Sequence, residues 1–306
     1  MPMFALRACQ VAAVLFLLVA PGLADEPALW AYLDRPASRM MAYTPSQLDP
    51  RNSANHDLLT TFSIESDLRV LRPLFDGLIL YGYHEADTPR IMYVAQKQGF
   101  KSVLLGVWNP RSADEVDGVA TLARQYSGDM AIGILVGNEG LHFGRYEAAD
   151  VEFAAARLRS RLGTNIPLST SEPHARYEDE FVLKFGEFLA PNIHPVFDSP
   201  NLAAVDAAKW TLEKAKALHA RTGKRVLIKE TGFPHAGQQK FTPESQQEFW
   251  RSYLDAPEQP GVFHRVAFEA FDLPWKSEAS GLEIEKSWGW FSSDRKPYPV
   301  CDVLKP

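Results

Sequence analysis

Two glutamates stand where their type and setting can do chemistry. Glu139 falls in GILVGNEGLH at 133–142 and Glu230 in LIKETGFPHAG at 227–237, 91 residues apart. Each closes a short apolar run of the kind that makes a fully buried strand, and glycine-bearing turn residues follow. Either one alone is most simply a solvated residue at a loop start. Both at one end of a sheet are what retaining glycoside hydrolysis needs. One carboxylic acid protonates the leaving oxygen and the other carboxylate attacks the anomeric carbon, with the two groups about 5–6 Å apart. The parts of rival chemistries are missing: the chain has no G-x-S-x-G elbow, no phosphate loop and no H-E-x-x-H helix.

Such a pair needs a scaffold that gathers distant strand ends. One phrase repeats along the chain: an apolar run, polar or aromatic residues, an amphipathic stretch, then Gly or Pro. It predicts strands at 39–43, 77–82, 102–108, 131–138, 167–171, 190–194, 226–230 and 262–271, ending about every 33 residues, a natural size for a βα unit. Helix starts lie between them. Thr88-Pro89 reads as an N-cap with proline at the first position, residues 112–115 as a capping box, and Thr242-Pro243 as another start. A long helix at 201–222 is stopped by Gly223. Alternating β and α with buried strands means a parallel sheet, and eight repeats choose closure into a single (β/α)8 barrel of the α/β class. No dinucleotide-binding glycine pattern or Pro/Ser-rich linker argues otherwise.

Composition sets the outer bounds. With 46% hydrophobic and 23% charged residues, the chain can bury a large core and is not disordered. Residues 1–24 stand apart: Arg7 is their only charge, 11–20 is apolar, and small residues precede Asp25. That is the pattern of a secretory signal peptide, too short to span a bilayer, which leaves 25–306 as the barrel domain in the periplasm or outside the cell. Without Arg7 the 32 basic residues become 31 against 38 acidic, and a net charge of −7 argues against nucleic acid or anionic lipid as the partner. Cys9 leaves with the leader, so Cys301 has no intramolecular disulfide partner. A monomer without a membrane span, metal or organic cofactor is the expectation.

Taken together, the motifs resemble glycoside hydrolase family 17, the β-1,3-glucan-active family, in its fungal and bacterial branches. The matching pieces are YTP at 43–45, LYG at 80–82, LLGVW at 104–108, VGNE at 136–139, NIHPVF at 192–197, KETGFP at 229–234, FEAFDLPWK at 268–276 and EKSWGWFSSDRKPY at 285–298. The resemblance implies that Glu139 is the acid/base and Glu230 the nucleophile of an enzyme that hydrolyses or transfers β-1,3-linked (or mixed β-1,3/1,6) glucan.

It also makes nearby residues candidates for substrate contact. Asn138 is placed to bond the sugar 2-hydroxyl. Trp108, Trp275 and Trp288 offer faces for sugar rings, Trp275 beside Asp272 and Lys276. His194, with Phe197 nearby, can orient a carboxylate or bind a hydroxyl; Tyr43 and Tyr81 can hold Glu230 ionised; Glu269 can be a third acid or part of a buried ion pair. Three positions depart from the family. Ile79 stands where many relatives carry an arginine that supports the nucleophile, Phe233 replaces a tryptophan, and Leu273 a glutamate. Loss of the arginine is expected to leave Glu230 less stabilised, which keeps a non-catalytic glucan-binding barrel open beside the enzyme. A hydrolase of another β-linked polysaccharide is the third reading.

Overall fold

The computed structural model describes residues 26–36 and 38–305, so the expected leader at 1–24 lies outside the described residues. Seven strands form one parallel sheet: β1 (Met40–Ala42), β2 (Gly77–Ile79), β3 (Ser102–Val107), β4 (Ala131–Asn138), β5 (Leu168–Ser171), β6 (Val226–Ile228) and β7 (Phe263–Ala267). Their order is β5-β4-β3-β2-β1-β7-β6. Every strand residue but Arg265 is buried, as a sheet with a packed interior and helices outside requires. Helices Thr61–Leu71, Thr88–Lys97, Ala113–Tyr126, Ala148–Leu162, Ala204–Thr222 and Pro243–Asp255 alternate with the strands.

The strand expected at 190–194 is not a regular strand, yet its segment closes the barrel. Toward β6, Leu189 N–H donates to Arg225 O at 2.9 Å, Lys229 N–H to Pro191 O at 3.0 Å and Ile193 N–H to Glu230 O at 2.8 Å. Toward β5, Asn192 N–H donates to Glu172 O at 3.0 Å, and His174 N–H to Asn192 O at 2.8 Å. Two residues break the ladder into isolated bridges. Pro191 has no N–H to give, and the Tyr177 hydroxyl takes the Ala190 N–H at 3.2 Å in place of a β5 carbonyl. The result is a (β/α)8 barrel with seven regular staves and one irregular one.

Several strands are shorter than expected because their last residues bend into the mouth. Pairing still continues there, as in Leu80 N–H to Leu104 O and Ala270 N–H to Ala42 O, at 2.9 and 3.0 Å. The helix starts differ in detail. Ser112 accepts from Glu115 N–H, but Glu115 sends its own carboxylate to the amides of Trp108, Asn109 and Tyr83, so the expected capping box is only half formed. The cap expected at Thr88 falls one residue earlier, on Asp87. Thr242 and Ser245 cap reciprocally, and the helix Ala204–Thr222 ends on Gly223 in the left-handed region. Among the described residues no helix is long and apolar enough to cross a membrane.

Candidate active site

Because all strands run parallel, their C-terminal ends open on one face, and four of them deliver a carboxylate there. Glu139 directly follows β4, Glu172 directly follows β5, Glu230 lies two residues past β6, and Glu269 two past β7.

Glu139 turns out of its strand sharply. Its φ of 54° is in the left-handed region, which costs a non-glycine residue roughly 1–3 kcal/mol and persists only where surroundings enforce it. Here they do. Glu139 N–H is still tied to Ser171 O at 2.7 Å, and the Tyr146 ring fills the space under the turn. A Cβ on Gly137 would come within 2.2 Å of the Tyr146 hydroxyl and one on Gly140 within 2.0 Å of the ring, so both must be glycine. Glu172, fully buried, accepts from Leu141 and His142 N–H, both at 3.0 Å, and fixes the next two residues of the loop. Burial outweighs those two amides, and with the charge of Glu139 it raises the Glu172 carboxyl to about 7.

Glu230 has the opposite setting. It is only 6% exposed, with Lys229 Nζ bonded to one oxygen and His194 Nε2 donating to the other at 3.2 Å. Burial pushes its pKa up, but Lys229 and His194 outweigh it and hold the carboxyl well below the usual range. Glu230 in turn keeps His194 above its ordinary value against the pull of burial. The expectation that Ile79 leaves the nucleophile without a cation is therefore corrected. Ile79 is packed in the core, and Lys229 supplies the charge from the neighbouring position.

A chain of polar contacts links the two glutamates. Lys229 Nζ also donates to Asn138 Oδ1 at 2.6 Å, and Asn192 Nδ2 donates to Asn138 Oδ1 at 3.2 Å and Glu139 Oε1 at 2.8 Å. Ser171 Oγ anchors Asn192 Oδ1 at 3.0 Å. With its Oδ1 committed twice, Asn138 has an Nδ2 without a side-chain partner among the described residues. On the far side Lys276 Nζ donates to Glu269 at 2.6 Å. Burial, against the pull of Lys276, raises Glu269 to about 7. The Tyr81 hydroxyl is buried and unpartnered; burial, then Glu230 and Glu269, push it well above its ordinary pKa. Its ring carries Lys229 Nζ on one face, 4.1 Å from the centroid.

Other expected contact residues go elsewhere. Tyr43 is buried with its hydroxyl on Asp67 at 2.9 Å, away from Glu230, because the carboxylate of Asp67 is itself buried and needs donors. Phe233 stacks on Phe249 in the core, and Trp288 is buried against His194 and Phe268. Asp272 spends its carboxylate on His235, Tyr298 and the Gly289 amide. Trp275 is partly buried under the Arg51 guanidinium, with its indole N–H unpartnered. Trp108 and Phe197 remain open, 44% and 45% exposed, and Arg145 packs on the Trp108 ring at 4.1 Å while donating to Asn138 O. Lys229, Asn192 and Glu172 were not among the sequence candidates, although two of them lie inside the quoted motifs.

Barrel and site together define a carbohydrate-active (β/α)8 enzyme fold of the two-carboxylate kind. The chain belongs to the family of the BtgE/BtgC glycoside hydrolase domain, whose model matches residues 41–289. It is 28% identical over 191 residues to the "Probable beta-glucosidase btgE" of Aspergillus fumigatus, an alignment covering 58% of this chain and 32% of that protein. It thus spans about a third of that relative's length. A glucan 1,3-beta-glucosidase of Saccharomyces cerevisiae is 23% identical over 273 residues, 79% of this chain and 86% of its own. Among solved structures, a glycoside hydrolase family 17 beta-1,3-glucanosyltransferase from Rhizomucor miehei superposes with a TM-score of 0.70 at 20% identity, covering 87% of this chain and 97% of that one. That likeness establishes the fold.

Proposed function

We propose that the protein is a retaining glycoside hydrolase or transglycosylase acting on β-1,3-linked glucan, with Glu230 as nucleophile and Glu139 as acid/base. One observation carries the reading. Of the two glutamates, Glu230 is clamped between the Lys229 ammonium and the His194 imidazole, which hold its carboxyl well below the usual range, while Glu139 reaches toward it through Asn192 and Asn138. A clamped carboxylate can attack the anomeric carbon; the C–O bond to the leaving sugar breaks, and that oxygen takes the Glu139 proton. Glu139 then removes a proton from water or from a sugar hydroxyl, whose oxygen displaces Glu230 from the anomeric carbon with net retention. Water gives hydrolysis and a sugar gives transfer. The names of the yeast and Rhizomucor relatives support a β-1,3-glucan substrate, and the apolar segment at 11–20 supports export.

Laminari-oligosaccharides of defined length test this directly. Products shorter than the substrate, or both shorter and longer, with β configuration in the first-formed product, are expected. Binding without turnover over days gives the binding-barrel reading instead, and inverted product removes the nucleophile role of Glu230.

A further inference from the structure

Away from the glutamates, three metal-ligating side chains converge on the rim of the barrel. His56 sits on the short helix Ser53–Leu58 in the connection after β1, and His84 and Asp87 follow β2. Each offers a ligand atom, and the three atoms lie within 4.8 Å of one another. The His56 and His84 rings stack, centroids 3.9 Å apart and 13° from parallel. Asp87 is buried and occupies the N-cap of the helix Thr88–Lys97, yet its carboxylate makes no cap bond. One oxygen bonds His56 Nδ1 instead, and the other accepts from Thr88 Oγ1 at 3.1 Å. His84 Nδ1 is a lone-pair nitrogen, accepting from Ala86 N–H at 3.2 Å.

We propose that His56, His84 and Asp87 form a site for one divalent transition-metal ion of the zinc class, tying the connection after β1 to the one after β2. Two imidazoles and one carboxylate are a borderline-soft donor set that suits Zn²⁺ and leaves the fourth tetrahedral position for water. Ligands at about 2.0–2.1 Å from a tetrahedral ion stand about 3.3 Å apart, so the cluster has to contract by the swing of one ring, opening the His56–Asp87 contact and the Ala86 N–H bond to His84 Nδ1. The ion takes the place of the proton between His56 and Asp87; in the neutral imidazole that proton moves to Nε2, which turns the Nδ1 lone pair to the metal. Arg90, the cation beside the site, is already committed to the carbonyls of Ala86, Leu59 and His56 and braces both connections from behind. The first connection also carries Arg51, which packs over Trp275 at 5.7 Å, so the staple steadies one wall of the cleft.

Chelator-treated full-length chain titrated with Zn²⁺ is expected to bind one ion with a Kd below about 10 µM and to melt at higher temperature. Co²⁺ is expected to give the visible absorption of a four-coordinate site. His84→Gln and Asp87→Asn should each weaken binding by at least about tenfold, and His56→Gln with His84→Gln should abolish it. Circular dichroism and glucan turnover without metal report whether each variant is folded. Absence of one-to-one binding in folded wild type, or binding that survives in the folded double variant, overturns the site and leaves a His–Asp hydrogen bond. Neither result touches the roles of Glu139 and Glu230.

Discussion

Glu139 and Glu230 are the same side chain at the same end of one barrel, and the two sides of the mouth treat them differently. On the β6 side Glu230 is buried between an ammonium and an imidazole, with both oxygens occupied. On the β4 side Glu139 is partly exposed on a left-handed turn, and its one side-chain hydrogen bond among the described residues comes from Asn192. A nucleophile must stay ionised and rigidly aimed. An acid/base must trade a proton with whatever sits in the leaving or acceptor position, so one oxygen has to stay free. On the proposed roles, the environment, and not the residue type, divides the labour.

The sharpest way to break this contrast is Glu230→Gln, which keeps shape and removes the carboxylate proposed as nucleophile. Turnover of laminari-oligosaccharides should fall beyond about 10⁴-fold while binding, followed by calorimetry, survives. A variant that kept more than a tenth of wild-type rate would move the nucleophile elsewhere. Glu139→Ala should cost about 10²- to 10⁴-fold on glucan and less on an aryl glycoside with an activated leaving group, which needs little protonation. Azide should restore turnover of that variant and give the β-glycosyl azide, since the covalent intermediate still forms on Glu230. An α-azide product would contradict the assignment.

How much of this was legible beforehand follows from geometry. The eight apolar runs and two strand-end glutamates are strong local signals, because buried parallel strands must be apolar and only their ends can be otherwise. Lys229 was hidden by the strand rule itself. Neighbours in a strand point to opposite faces, so a lysine beside a barrel-facing glutamate reads as outward-facing. In fact β6 ends at Ile228, and both side chains reach the mouth. Asn192 was hidden on the stave that Pro191 and Tyr177 make irregular. The aromatic candidates divide for a further reason. An aromatic residue carries no mark of which side it faces, so Trp108 is open while Phe233 and Trp288 are core.

Lys229→Met tests whether that lysine replaces the missing arginine. It leaves a buried carboxylate with His194 alone, and breaking such a pair costs about 3–5 kcal/mol of stability. Turnover should fall about 10²-fold, and the acidic limb of kcat/KM should move to higher pH because Glu230 loses its main stabilising charge. An unmoved limb in a folded variant would mean that His194 suffices.

The smallest effect separates the carboxylates that flank the pair. Glu172 and Glu269 have folded pKa values raised to about 7 from an ordinary 4.5, so the native state favours their protonated forms. Their stabilisation is complete below about pH 4.5 and is lost as pH rises through about 7, since there the native state holds more protons than the unfolded chain. Glu230 has the opposite sign: its depressed folded pKa gives stability that is present above about 4.5 and lost as pH falls below it. Wild-type Tm should therefore decline between about pH 5 and 8. Glu172→Gln cannot ionise, so its own decline over that range should be shallower, whatever its offset at pH 5. Parallel Tm curves for the two proteins would mean that the amides of Leu141 and His142 hold Glu172 ionised throughout. The loop behind Glu139 would then be anchored by a full charge at every working pH, and the contrast between the two sides of the mouth would rest on Lys229 and His194 alone.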